Sequence, residues 1–308
     1  MLRTRLGMGT VLVLLTAGML LIDQHLAPWF PFLFVMLLGL SVAACHELLH
    51  LVEPARRPLA WLCYVVVAVM VAANWPSHLL GMESEHFAEP QGIEGWRIVF
   101  PYYRQWLWLA GAFSGVILAA FLVEMAVFRG PGGVFGRMAL VVFIAGYLGL
   151  LPSFLAQLRW LNVDKPLVGT LALALAIFVP KVCDIGAYFT GRFLGRHKMA
   201  PVLSPKKTWE GAAGGLVAAT ATAIALDRIT DVAPLYGNLG LEIGFGLSMG
   251  IVSMLGDLAE SMIKRDCSQK DASQAVPGFG GILDVVDSVI FPAPLAYLWI
   301  HAICPLAA

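Results

Sequence analysis

Long apolar runs, broken by short polar stretches, occupy this chain from Met8 to its C-terminus. A helix that crosses a bilayer needs about 20 mostly apolar residues. By that rule nine segments predict spans: 8–22, 29–49, 59–80, 106–128, 138–158, 167–183, 211–226, 241–256 and 283–303. The expected fold is therefore all-α, a polytopic transmembrane helix bundle of about nine spans. The first and sixth segments are short for a span. The opening MLRTRLGMGT with VLVLLTAGMLLI resembles a signal peptide, but no AxA-like site lies near Ile22 and further apolar runs follow at once. A first helix that stays with the protein is the expectation.

Composition supports this reading. The chain is 59% hydrophobic and 13% charged, with no net charge, so no nucleic-acid partner is indicated. Its five Cys (45, 63, 183, 267, 304) show no CxxC spacing and lie mostly in apolar runs, as buried thiols do. With the N-terminus in the cytoplasm and the spans alternating, 15 of the 20 Lys and Arg fall on the cytoplasmic side, including Arg3, Arg5, Arg56, Arg57, Arg129, Arg137 and Lys181. The far side keeps Arg97, Arg104, Arg159, Lys165 and Arg228, and its loop 81–105 is acidic (Glu83, Glu85, Glu89, Glu94). The two loops richest in charge, 181–210 and 257–282, then share the cytoplasmic face. Residues 1–165 read as lipid-facing scaffold helices and 166–308 as the catalytic region. The Trp-rich segment 96–108 reads as an interfacial aromatic belt.

Four constellations carry candidate chemistry. Asp184 and Tyr188 share a helix face at the end of the sixth span. In Ser204-Pro-Lys-Lys-Thr-Trp-Glu-Gly211, Ser204 before Pro205 predicts a helix cap with Pro at the first position. Lys206, Lys207 and Thr208 beside free helix N–H groups then suggest an anion site; a positive anchor is the plainer alternative. On a continued helix, Asp257, Glu260, Ser261 and Lys264 form one stripe, with Arg265, Lys270 and Asp271 beyond. Pro277-Gly-Phe-Gly-Gly281 leads to Asp284 and Asp287, three apart in the last span. Two carboxylates that stay ionised at a membrane edge call for a cation. Oxygen donors together with substrate phosphates suit Mg²⁺ rather than zinc. Charged helix ends also mark ion pathways, but transport predicts charge near mid-span on several helices. His46, Glu47 and His50 spell HExxH, a zincin string that also arises by chance at a helix end and has no obvious further acidic ligand beyond Glu53.

In this order the blocks resemble the CDP-diacylglycerol synthase (phosphatidate cytidylyltransferase) family. Its C-terminal signature is matched by Ser261, Lys264, Arg265, Lys270, Asp271, Pro277, Gly278, Gly280, Gly281, Asp284 and Asp287. Asp184, Ala187, Tyr188 and Gly191, and then Ser204, Pro205, Lys207, Thr208, Trp209, Glu210 and Gly211, are similar to its upstream motifs. The resemblance covers residues 180–288. Two positions depart from it: Phe279 where the family has His, and Val285 where it has Arg.

The resemblance implies transfer of cytidylyl from CTP to phosphatidate, yielding CDP-diacylglycerol and pyrophosphate, in a bacterial cytoplasmic membrane with the active face inward. It implies Mg²⁺, with a second cation and a homodimer left open, and membrane lipids as surroundings. Under it, Asp257, Asp284 and Asp287 hold Mg²⁺, while Lys264, Arg265 and Lys270 stabilise the leaving pyrophosphate. Ser204, Lys207 and Thr208 bind phosphate, Asp184 and Asp271 orient these groups, and Tyr188 and Ser261 line the substrate site. A relative acting on another lipid phosphate or a polyprenol, or a catalytically degenerate homologue, is the alternative.

Overall fold

The computed structural model describes residues 2–81, 96–162, 164–229, 231–232, 234–235, 237–276 and 280–303, with backbone alone at 2–6, 80–81 and 96–104. The side chains of Arg3 and Arg5, the acidic loop around Glu83–Glu94, Phe279 with Pro277 and Gly278, and Cys304 lie outside what is described.

Among the described residues nine helices are long and apolar enough to cross a membrane, one for each predicted segment. The chain is an integral membrane protein. Its helices are α1 (Leu2–Asp23), α2 (Pro31–Leu51), α3 (Ala60–Ala72), α4 (Pro76–Gly81) and α5 (Trp96–Val127). One span then combines α6 (Val134–Ile144), a π-helical stretch (Ala145–Leu150) and α7 (Leu151–Leu158). There follow α8 (Pro166–Leu194), α9 (Trp209–Asp227), α10 (Leu239–Asp266), α11 (Leu283–Ile290) and α12 (Ala293–Ile303). The eighth helix and the tenth run well past their apolar stretches, to Leu194 and Asp266, and so carry Asp184 and the Asp257–Lys264 stripe on regular helix.

The connection between α8 and α9 corrects one expectation. Ser204 is not a helix cap: β2 (Ser204–Thr208) pairs antiparallel with β1 (Lys198–Ala200). Thr208 caps α9 instead, its hydroxyl accepting from Gly211 N at 3.2 Å. Pro205 is compatible with an edge strand, and Thr208 has the extended backbone a cap requires. Glu210 fastens the hairpin by accepting from the backbone N–H groups of Arg196 (3.0 Å) and His197 (3.2 Å).

Lipid tails are as apolar as Leu, so helices in a bilayer associate through close packing and polar contacts. At the α8–α9 seam a Cβ on Gly186 would sit 2.6 Å from Ala218 Cβ. Cys45, Cys63 and Cys183 are buried free thiols. The aromatic segment divides: Trp108 is exposed, whereas Trp106 turns inward against Phe154 and Tyr297.

One end of the bundle is locked by Asp23 and Arg159, both fully buried. Asp23 accepts from Phe32 N and Leu33 N at the start of α2, a helix with no cap of its own. Arg159 donates to Thr170 Oγ1 (2.5 Å) and lies 4.4 Å over the Phe30 ring. Breaking a buried pair from one side strands the other charge. Arg159→Met should therefore lower stability by about 3–5 kcal/mol. Adding Asp23→Asn should recover part of that loss, as read by thermal unfolding in detergent.

Candidate active site

The two charged segments singled out in sequence meet at one end of the bundle. Lys207, on β2, places its Nζ 2.6 Å from Asp257 Oδ2 on α10. Arg265, near the end of α10, donates to Leu203 O in the hairpin (3.3 Å) and to Gln269 O (3.1 Å). The hairpin is thus clamped over the exit of α10.

Asp257, Glu260 and Asp287 form the centre, with ligand oxygens within 4.8 Å of one another. A helical spacing of three puts the first two on one face, and a glycine brings in the third. A Cβ on Gly256 would lie 2.6 Å from Phe291 Cβ and 3.0 Å from Asp287 O, so any larger residue would push α11 away. Glu260 and Asp287 are 1% and 4% exposed, whereas Asp257 is partly open. Lys264 Nζ stands 2.5 Å from Glu260 Oε2, but neither carboxylate oxygen of Glu260 has a hydrogen-bond partner among the described residues. Lys264 is shared between Glu260 and Asp284, so it does not by itself balance the buried acids.

Spacing assigned a ligand role to Asp284; the geometry puts Glu260 in the triangle and gives Asp284 other partners. Asp284 Oδ1 takes a hydrogen bond from Lys264, while Oδ2 accepts from Gly281 N (2.7 Å) and Ala272 N (3.1 Å). It anchors the signature loop. The glycines make room for this: Gly280 sits at φ +105, and a Cβ there would lie 2.7 Å from Asp284 Oδ2.

Lys181, Asp184 and Ser288 flank the triangle. Lys181 Nζ donates to Ser288 Oγ (2.7 Å) and to Val285 O, and lies 3.8 Å from Asp184 Oδ2. Val285, which replaces an Arg of the resembled signature, thus contributes its carbonyl. Tyr188 is exposed, its hydroxyl accepting from Arg192 at 2.9 Å. Ser261 is buried on α10. Ser204 is partly buried, and the Thr208 hydroxyl is already used as a cap. Lys270 and Asp271 are exposed in the loop that follows α10.

The sequence reading placed Glu260 on the stripe without giving it a role, and assigned no site role to Lys181 or Glu47. Glu47 comes from the HExxH string, but not as a zinc site. His46 and His50 are exposed, their Nδ1 atoms bonded to Tyr64 OH and to His46 O, both at 2.8 Å. Glu47 is buried and points inward, accepting from Ser273 Oγ (2.6 Å), Ile282 N (2.9 Å) and Leu283 N (2.8 Å). The helix α11 has no side-chain cap of its own, so Glu47 supplies one from α2. A lone acid inside an apolar span, together with a helix start lacking Ser, Thr, Asp or Asn, was the signal available.

The Cytidylyltransferase family profile matches residues 3–303. The chain belongs to the cytidylyltransferase family. Proteins named phosphatidate cytidylyltransferase from Brucella suis, Synechocystis sp. and Haemophilus influenzae are similar to it, at 40%, 36% and 38% identity. These matches cover 53%, 52% and 52% of this chain and 57%, 61% and 54% of the respective relatives. The chain thus aligns with a little over half the length of the curated relatives it matches.

Glu47→Ala should free the amides of Ile282 and Leu283 while leaving the spans in place. Their hydrogen exchange should quicken by about tenfold or more, the loss of a bond to a charged acceptor. Exchange monitored by mass spectrometry in detergent checks this.

Proposed function

We propose that this protein transfers a cytidylyl group from CTP to phosphatidate, forming CDP-diacylglycerol and releasing pyrophosphate. The observation that carries the reading is the meeting of Lys207 with Asp257 beside a buried acidic triangle, at one end of a membrane bundle of this family. The names of the relatives support the choice of reaction and acceptor.

The chemistry needs no nucleophile from the protein. A phosphate oxygen of phosphatidate attacks the α-phosphorus of CTP, a new P–O bond forms, and the bond from that phosphorus to the β-phosphate oxygen breaks. What the protein must supply is alignment of two polyanions and relief of their charge. Asp257, Glu260 and Asp287 form an all-oxygen donor set, which fits a hard divalent cation such as Mg²⁺. Such a cation, when bound, would neutralise nucleotide phosphates. Lys207 and Lys264 bridge the cluster and the phosphates; Arg265 and Lys270 lie at the rim, where pyrophosphate leaves. Lys181 and Asp184 hold Asp287 and Ser288 in place. Asp284 and Glu47 keep the signature loop shaped around the site, and Asp271, Tyr188, Ser204, Ser261 and Thr208 border it. The helices of residues 1–165 serve as scaffold for those of 166–308, and the charged face looks into the cytoplasm of a bacterial cell, where CTP is made.

Purified protein in detergent with Mg²⁺, labelled CTP and phosphatidate should form CDP-lipid. Asp287→Asn should reduce kcat by about a hundredfold or more, as for removal of one preorganised electrostatic group. Chelation of the divalent cation should abolish turnover and re-addition restore it. Turnover near wild type in Asp287→Asn would remove that residue from the cation site, and absence of CDP-lipid from the wild-type protein would refute the reaction.

A further inference from the structure

The span formed by α6 and α7 is irregular near its middle. Residues Ala145–Leu150 are π-helical, and Pro152 follows directly. Proline has no N–H to give the carbonyl four residues back, so the turn before it is loosened. Single π-helical turns re-aim side chains and concentrate at functional sites. Here the turn carries Tyr147.

Tyr147 is 7% exposed, and its ring stacks on Phe143 at 5.5 Å. Its hydroxyl is buried and has no hydrogen-bond partner among the described residues. It belongs to the same buried cluster as Leu283, Val286 and Ile290 of α11, the helix that carries Asp287. As a packing residue Tyr147 would be better replaced by Phe, because an orphaned buried hydroxyl destabilises. A phenol is a donor, and no described residue accepts its proton in a hydrogen bond. Packing therefore does not explain the oxygen, whereas an acceptor brought by a ligand does.

We propose that Tyr147 is a positioning residue of this site. Its hydroxyl donates a hydrogen bond to an oxygen of the ligand held at Asp257, Glu260 and Asp287, either a cation-bound water or a nucleotide phosphate oxygen. This rests on the cation-dependent reaction proposed above.

The test uses full-length Tyr147→Phe in detergent, with three readouts: thermal unfolding, Mn²⁺ binding by electron paramagnetic resonance with and without CTP, and CDP-lipid formation. The unfolding midpoint should hold or rise, because an unsatisfied group is removed. Turnover (kcat/KM for CTP) should fall about tenfold, the loss of one bond to a charged acceptor. Weaker Mn²⁺ binding without CTP identifies a water as the acceptor; weaker binding only with CTP identifies a phosphate oxygen. Unchanged Mn²⁺ binding together with unchanged turnover overturns the proposal. So does a midpoint drop above about 5 °C, which would give the hydroxyl a structural partner. If the wild-type protein makes no CDP-lipid, the reaction is refuted while the Mn²⁺ arm still judges Tyr147.

Discussion

The structure depends on placing carboxylates where water is scarce. Four of them, Asp184, Asp257, Glu260 and Asp287, crowd one end of the bundle, and Glu260 and Asp287 are almost sealed from solvent. Charge of one sign at a membrane edge is tolerated when each group is paired or coordinated. Here the compensation is shared among Lys181, Lys207 and Lys264, which come from α8, the hairpin and α10. Lys207 also joins the hairpin to α10, and Lys181 joins α8 to α11 through Ser288, so the polar contacts of the site also tie distant elements together. The small residues at Gly186 and Gly256 let the backbones come close enough for those pairs to form.

The two ends of the bundle use the same device. Helices α2 and α11 both begin without a side-chain cap of their own. Asp23 and Glu47, each from a neighbouring helix, supply the missing acceptors. An imported carboxylate serves the exposed N–H groups and the positive end of the helix dipole together. At one end Arg159 balances it; at the other the signature loop wraps it, with a Cβ on Gly281 lying only 2.5 Å from Glu47 Oε2.

Much of the fold was legible because a bilayer imposes a length on every span. The apolar runs gave all nine membrane-length spans among the described residues, and even the short sixth run proved to be the start of a longer helix. Local chemistry was less legible. Ser204-Pro205 has the composition of a cap, yet Thr208 takes the role, because pairing with Lys198 and Ala200 holds residues 204–208 extended. At the site, helical periodicity put Asp257 and Glu260 on one stripe, but it could not say that Asp284 would spend its oxygens on backbone amides. Glu47 was hidden inside a metal-binding string. Its partners lie more than two hundred residues away, and no local pattern encodes such a distance.

That distance has a bearing on how the protein is made. Glu47 and Ile282 are 235 residues apart, and the ribosome adds about 5–20 residues per second, so on the order of ten to fifty seconds separate their syntheses. During that interval α2 is already membrane-bound with an unclaimed acid in its wall. Glu47 therefore waits for its amide partners until the final span has been made.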